Sequence, residues 1–204
     1  MKLILAITAL SAVTVQLAAE SLSFDFADPK GVNTVNFHMD ALLESTSGHA
    51  KGVSGRVQFD PADPEKTSGV IQIDTQSLYV ANPRMLEHMH GATWMDVNNH
   101  PDIRFTVGSL RNIDQVGNIT TADVNGELTV KGVTRPVTAR ATLTYLRGKL
   151  KARMGPRGPD GDLLVIRTKF SISRTDYGIN AGQNTERVAD EIEISLSIAG
   201  QAPY

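Results

Sequence analysis

From about residue 32 to the C-terminus the chain alternates apolar and polar residues with a period of two, and that pattern admits little except β-strands with one buried face. Val35, Phe37 and Met39 form a first set, and Val53, Gly55, Val57 and Phe59 a second. Ile71 and Ile73 follow, then Ile103, Phe105 and Val107. Val124 to Val130, Val137 to Tyr145 and Leu164 to Ile172 continue the pattern. In the last set Ile192, Ile194, Leu196 and Ile198 lie opposite Glu191, Glu193, Ser195 and Ser197. One-sided strands of this number predict an all-β fold: an eight-stranded antiparallel barrel around an apolar interior.

Turn chemistry separates the strands. Asp60-Pro61-Ala62-Asp63-Pro64 ends the second, and Gly117-Asn118 marks a hairpin between the fourth and fifth. Lys131 to Pro136 turns the fifth into the sixth, with Pro136 expected at a strand start, where a missing N–H is tolerated. Gly155 to Gly161 repeats a glycine-proline pattern too briefly for a triple helix and reads as an exposed loop. One segment breaks the period. Asn82 to Gly91 reads as a short helix between strands 3 and 4, with Asn82 as N-cap, Pro83 at the first position and Gly91 past the end. Met85, Leu86 and Met89 share one of its faces, so it can cap a barrel mouth.

The N-terminus is of another kind. Met1-Lys2 is charged, Leu3 to Val15 is apolar apart from hydroxyl residues, and Ala18-Ala19 are small. That layout predicts an export signal over residues 1–21, a mature domain over 22–204 and a periplasmic address. The apolar run is shorter than the ~20 residues a membrane-spanning helix needs, so no integral membrane protein is expected. The net charge of −2, with both signs interspersed, leaves no basic footprint for nucleic acid. No cysteine is present, which removes thiol catalysis, cysteine zinc sites and disulfides.

Signals for chemistry are weak. His88 and His90 would share a side on a strand, but two residues apart on a helix they point away from each other, so no metal site is expected. His38, His49 and His100 are isolated, and Glu191 with Glu193 sits on the polar face of a strand. Gly52-Val53-Ser54-Gly55 lacks the spacing of a hydrolase elbow, and neither a dinucleotide fingerprint nor a phosphate loop is present. No catalytic residue is expected. What remains is the interior: Phe37, Met39, Phe59, Phe105, Leu128, Ile166 and Phe170 are either plain core or the lining of a cavity, and alternation alone does not separate the two.

Specific strings go further than periodicity. Asn125-Gly126-Glu127-Leu128-Thr129-Val130-Lys131-Gly132-Val133-Thr134-Arg135-Pro136-Val137 resembles the signature of the YceI-like family, roughly G-x-L-T-x-x-G-V-T-x-P-V. His88-Met89, Trp94-Met95-Asp96-Val97 and Pro101-Asp102-Ile103-Arg104-Phe105 are similar to its H-L, F-F-D-V and P-x-I-x-F strings. Ile172 to Gly178, Val188 to Ile192 and Gly55 to Asp60 resemble three more. Leu86-Glu87 and His90 depart from an acidic residue and an arginine common there, which bears on headgroup recognition more than on the fold.

The resemblance implies a lipocalin-like barrel that binds polyisoprenoid chains, such as isoprenoid quinones or prenyl phosphates, with the lipid as ligand and no further cofactor. The expected role is a non-catalytic carrier. An enzyme or redox partner acting on such a lipid, and a filled barrel working through protein contacts, are the alternatives; a homodimer stays open. The expected lining of cavity and mouth is Phe37, Met39, Phe59, Met85, Met89, Trp94, Phe105, Leu128, Ile166, Phe170 and Arg174. Trp94 either lines the entrance or packs the helix down. Arg174, two residues from Asp176 on an extended chain, is either a rim ion pair or the receiver of an anionic or carbonyl head.

Overall fold

In the computed structural model, which describes residues 21–204, every strand pairing is antiparallel and eight consecutive staves close into a barrel. The expected signal falls, but for Ser21, outside the described residues. The first stave is β1 (Leu22–Asp25) continued by β2 (Thr34–Asp40), and the second is β3 (Ser45–Ala50) continued by β4 (Val53–Phe59). The third is β5 (Ser68–Asp74) with the short β6 (Tyr79–Val80). Helix α1 (Pro83–His90) follows, then β7 (Asp102–Val116), β8 (Ile119–Val130) and β9 (Val133–Leu146). A second helix, α2 (Leu150–Met154), precedes β10 (Gly161–Ser173) and β11 (Glu191–Pro203). Closure comes from β11, which pairs with β10 on one side and with both pieces of the first stave on the other.

Local chemistry explains the connections. The β8–β9 hairpin turns on Lys131 (φ 49) and Gly132 (φ 76), the two left-handed residues that a tight turn matching strand twist requires. Asn82 caps α1 as expected, its side-chain oxygen accepting from the Arg84 and Met85 amides at 3.0 and 3.2 Å. Where the first stave breaks between β1 and β2, Asn33 repairs the ladder: its amide donates to the Phe26 and Ala199 carbonyls and accepts from the Ala199 N–H.

Three features differ from the sequence expectation. The alternation starts at Leu22, not near residue 32, because Phe24 and Phe26 carry it through a segment whose Asp25, Asp28 and Lys30 read as polar. Pro136 is the fourth residue of β9 instead of its first; it is tolerated because β9 pairs with β10 only from Ala141 onward. Helix α2 lies just before the glycine-proline loop and buries Leu150 completely.

The core divides in two along the barrel axis. A floor cluster includes Phe24, Phe26, Val57, Phe59, Leu110, Leu164 and Ile198. A mouth cluster includes Leu78, Met95, Val97, Leu128, Tyr177 and Ile179, with Met89 and Trp94 packed on it.

Candidate functional site

Between floor and mouth lies a cavity of about 210 Å³ whose surface is wholly apolar. That is somewhat below the ~300–1,000 Å³ typical of pockets for compact small molecules. Period two builds the wall: Ile166, Phe170 and Ile172 face it from β10, and Ile192, Ile194 and Leu196 from β11. All six point inward yet are only half-buried, because they look into open space and not onto a neighbour. The interior is therefore a cavity and not a filled core.

Two glycines keep it open. Gly48 stands opposite Phe37 across β2–β3, where a Cβ would run into the Phe37 ring and the Tyr79 carbonyl. Gly126 likewise leaves the space that the Phe105 ring occupies. Both rings can lie along the wall instead of crossing the lumen.

Of the expected site residues, Phe37, Met39, Phe105, Leu128, Ile166 and Phe170 line the cavity from the strands. Met89 and Trp94 line it from the cap, and Arg174 borders it as well. Phe59 does not: it ends β4 at floor level, opposite Leu22, and is 1% exposed. Met85 does not either; it is half-buried near the start of α1, one turn before Met89, and is not part of the wall. Alternation tells which face a residue takes but not its height along the axis, hence the Phe59 error. Ile73, Ile103, Ile194 and Leu196 also line the cavity and carry the same alternation signal.

Arg174 fits neither reading of it. Its side chain is fully buried, and its guanidinium donates to the carbonyls of Ala189, Ile179, Asn180, Gln183 and Val188. A guanidinium has five N–H groups, so none is left for a headgroup. Asp176 is exposed and forms no ion pair with it; a 3-10 turn, Thr175–Tyr177, begins at once and ends the extended geometry that would align them. Trp94 stacks under the guanidinium, whose carbon lies 5.7 Å from the ring centre. Next to it burial would raise the Asp190 carboxyl, but the Ser173 and Thr175 hydroxyls, the Thr175 amide and the Arg174 charge together hold it below the usual carboxylate range.

The histidines stay apart. His88 is exposed, while His90 is half-buried with Nε2 2.9 Å from the Leu78 carbonyl oxygen. Among the described residues no three His, Asp or Glu side chains gather as a metal site. Glu193 lies on the outer surface, paired with Lys169 at 2.8 Å. The outer wall is polar, with Asp123, Arg140, Arg167 and Lys169 on it, the reverse of a barrel that faces lipid. Among the described residues no helix is long and apolar enough to cross a membrane.

Known proteins share this architecture. The model of a family described as the YceI-like domain matches residues 13–200. Among curated relatives, a UPF0312 protein of Pseudomonas syringae pv. syringae is 29% identical over 182 residues, 88% of each chain. One from Pseudomonas putida is 29% identical over 153 residues, covering 75% of this chain and 72% of that one. The crystal structure of Burkholderia cenocepacia BcnA superposes with a TM-score of 0.65 at 23% identity, over 82% of this chain and 95% of that one. A polyisoprenoid binding domain from Saccharophagus degradans, implicated in plant cell wall breakdown, superposes at 0.64 with 15% identity, over 90% of this chain and all of the other.

Proposed function

The chain belongs to the YceI-like family, and from that premise we propose that it is a periplasmic carrier that sequesters the tail of a long isoprenoid lipid, an isoprenoid quinone or a prenyl phosphate, in its barrel without chemically changing it. The observation that carries this reading is the wholly apolar cavity that lies between the floor and mouth clusters. Burying apolar carbon is worth about 0.8 kcal/mol per methylene, so each isoprene unit contributes a few kcal/mol before ordering costs. Such a ligand asks for shape and dryness, which the wall supplies. The Saccharophagus domain, by its name a polyisoprenoid binder, supports the same ligand class. A filled barrel does not fit the half-open inward side chains, and the periplasmic address rests on the layout of residues 1–21.

Organic-solvent extraction of protein purified from the periplasm, followed by mass spectrometry, tests this. An isoprenoid lipid in near-stoichiometric amount is expected. A diacyl phospholipid in its place, or no lipid at all, would count against the proposal.

A further inference from the structure

Among the described residues the most exposed large apolar side chain is Leu42, at 82%, and its neighbour Leu43 stands at 63%. The two form the tip of the hairpin between β2 and β3, which the Ala41 N–H closes by donating to the Glu44 carbonyl at 3.0 Å. A tight turn ordinarily takes glycine, asparagine, aspartate or proline, for their backbone preferences or for side chains that bond the turn. Leu42 and Leu43 offer neither, and they belong to neither core cluster. The far end of the barrel shows the usual solution: β7 and β8 turn on Gly117 and Asn118, with Gly117 at φ 60. Folding gives no reason for two leucines at the β2–β3 tip.

The tip stands at the mouth. Asp40, the last residue of β2, lies two beyond the His38↔Glu193 pair, level with the Ser173↔Glu191 end of the β10–β11 ladder. The Leu43 N–H donates to the Glu186 carbonyl at 2.9 Å and so fastens the tip to the loop whose carbonyls Arg174 holds. The same guanidinium lies over Trp94, a residue of the cavity wall. Tip, loop and cap are thus joined by direct contacts.

Shape and charge limit what can cover these leucines. Two side chains on a convex tip fall far short of the ~800 Å² per partner that a stable protein interface buries. A fluid apolar phase asks for no complementary surface. The backbone suits such a phase, because the Ala41 and Leu43 N–H groups are both bonded, and unpaired groups are what make entry into hydrocarbon costly. The exposed charges nearest the tip in the chain and at its Glu186 contact are Asp40, Glu44 and Glu186 against Arg187, so attraction to an anionic surface is not what brings it there. Two leucines hold less firmly than a myristoyl chain, whose grip on a membrane is already marginal and reversible. That strength suits a visit and not an anchor.

We propose that the Leu42–Leu43 tip is where the protein touches a lipid bilayer, dipping both side chains below the headgroups of an uncharged surface while the mouth beside it takes up the lipid. The proposal rests on the carrier reading, since a long isoprenoid resides in membranes and not in water and has to be loaded there.

Mixing delipidated protein with phosphatidylcholine vesicles that carry ubiquinone-4, sedimenting the vesicles and following the quinone left with the protein measures loading from a membrane. The same quinone delivered from cyclodextrin measures affinity without one. Leu42→Ser combined with Leu43→Ser is expected to slow loading from vesicles about tenfold and to reduce co-sedimentation with quinone-free vesicles, with affinity from cyclodextrin unchanged. Val116→Ser combined with Ile119→Ser removes two exposed aliphatics from the far hairpin and is expected to change none of the three. Unchanged loading in the Leu42/Leu43 variant, an equal loss in the Val116/Ile119 variant, or affinity lost together with rate overturns the assignment. So does a dimer of the parent that the Leu42/Leu43 variant abolishes, which would put a second copy on the tip. A parent that takes quinone from cyclodextrin but not from vesicles overturns the tip and keeps the carrier. One that takes it from neither removes both.

Discussion

The guanidinium of Arg174 directs all five of its N–H groups at backbone carbonyls of one loop, residues 179–189, and so holds in place a segment with little regular structure of its own. No other side chain has that donor geometry; a lysine ammonium offers three donors from a single point. Arg174→Ala is expected to cost about 3–5 kcal/mol, since the carbonyls lose their partner and a cavity opens in the mouth cluster. At ~2–4 °C per kcal/mol for a chain of this size, melting falls by roughly 10 °C, and Arg174→Lys recovers only part of it. Thermal unfolding of the two variants measures this; an alanine variant that melts with the parent but loses ligand would return Arg174 to the headgroup role. The sequence makes Arg174 conspicuous without revealing its work. Its partners are all backbone atoms of a loop, and backbone carbonyls leave no trace in residue identity.

Strands and caps are far more legible than single partnerships. The period-two sets locate all eight staves, and Asn82-Pro83 with Gly91 brackets α1 correctly, because these signals depend on local geometry alone. β1 is harder to see: four residues give only two turns of alternation, and the acids after it look like a linker. Asp28 is one of those acids, and its role is tertiary. It accepts from Arg153, at the end of α2, at 3.0 Å, and from the amides of Val32 and Asn33. Its side chain is 3% exposed. Burial alone would raise this carboxyl, but Arg153 and the Asn33, Val32 and Lys30 amides outweigh it and bring it down to about 2. A lowered folded-state value means the stabilisation is complete above the unfolded value of 3.8 and disappears as pH falls toward about 2. Asp28→Asn is accordingly expected to cost about 2 kcal/mol at neutral pH, because each tenfold change in proton affinity between the folded and unfolded chain is worth about 1.36 kcal/mol. Urea unfolding at stepped pH should show parent and variant converging over that acid window. Curves that stay parallel down to pH 2 would assign the loss to shape and not to charge.

At the scale of the whole molecule the barrel is polar outside, packed at both ends and open in the middle, so its least stabilised region is the one meant to hold another molecule. Half-buried Phe37, Phe105, Ile194 and Leu196 forgo part of their burial free energy in the empty protein, and an apolar tail would supply the missing contact. Ligand binding and folding are then linked: at a hundredfold excess over Kd the complex gains about 2.7 kcal/mol. At ~2–4 °C per kcal/mol, melting rises by roughly 5–10 °C. The chain offers its own reporter of that event. Trp94 is the single tryptophan, it lines the cavity from the cap, and the Arg174 guanidinium lies over its ring. Titrating an isoprenoid quinone into delipidated protein is expected to quench its emission saturably, in step with the rise in melting temperature. A shorter soluble analogue should do less of both, because each missing methylene removes about 0.8 kcal/mol. Stabilisation without any spectral change would put the ligand out of reach of Trp94 and make the indole a plain part of the mouth cluster. If neither signal moves, the cavity does not take this class of lipid.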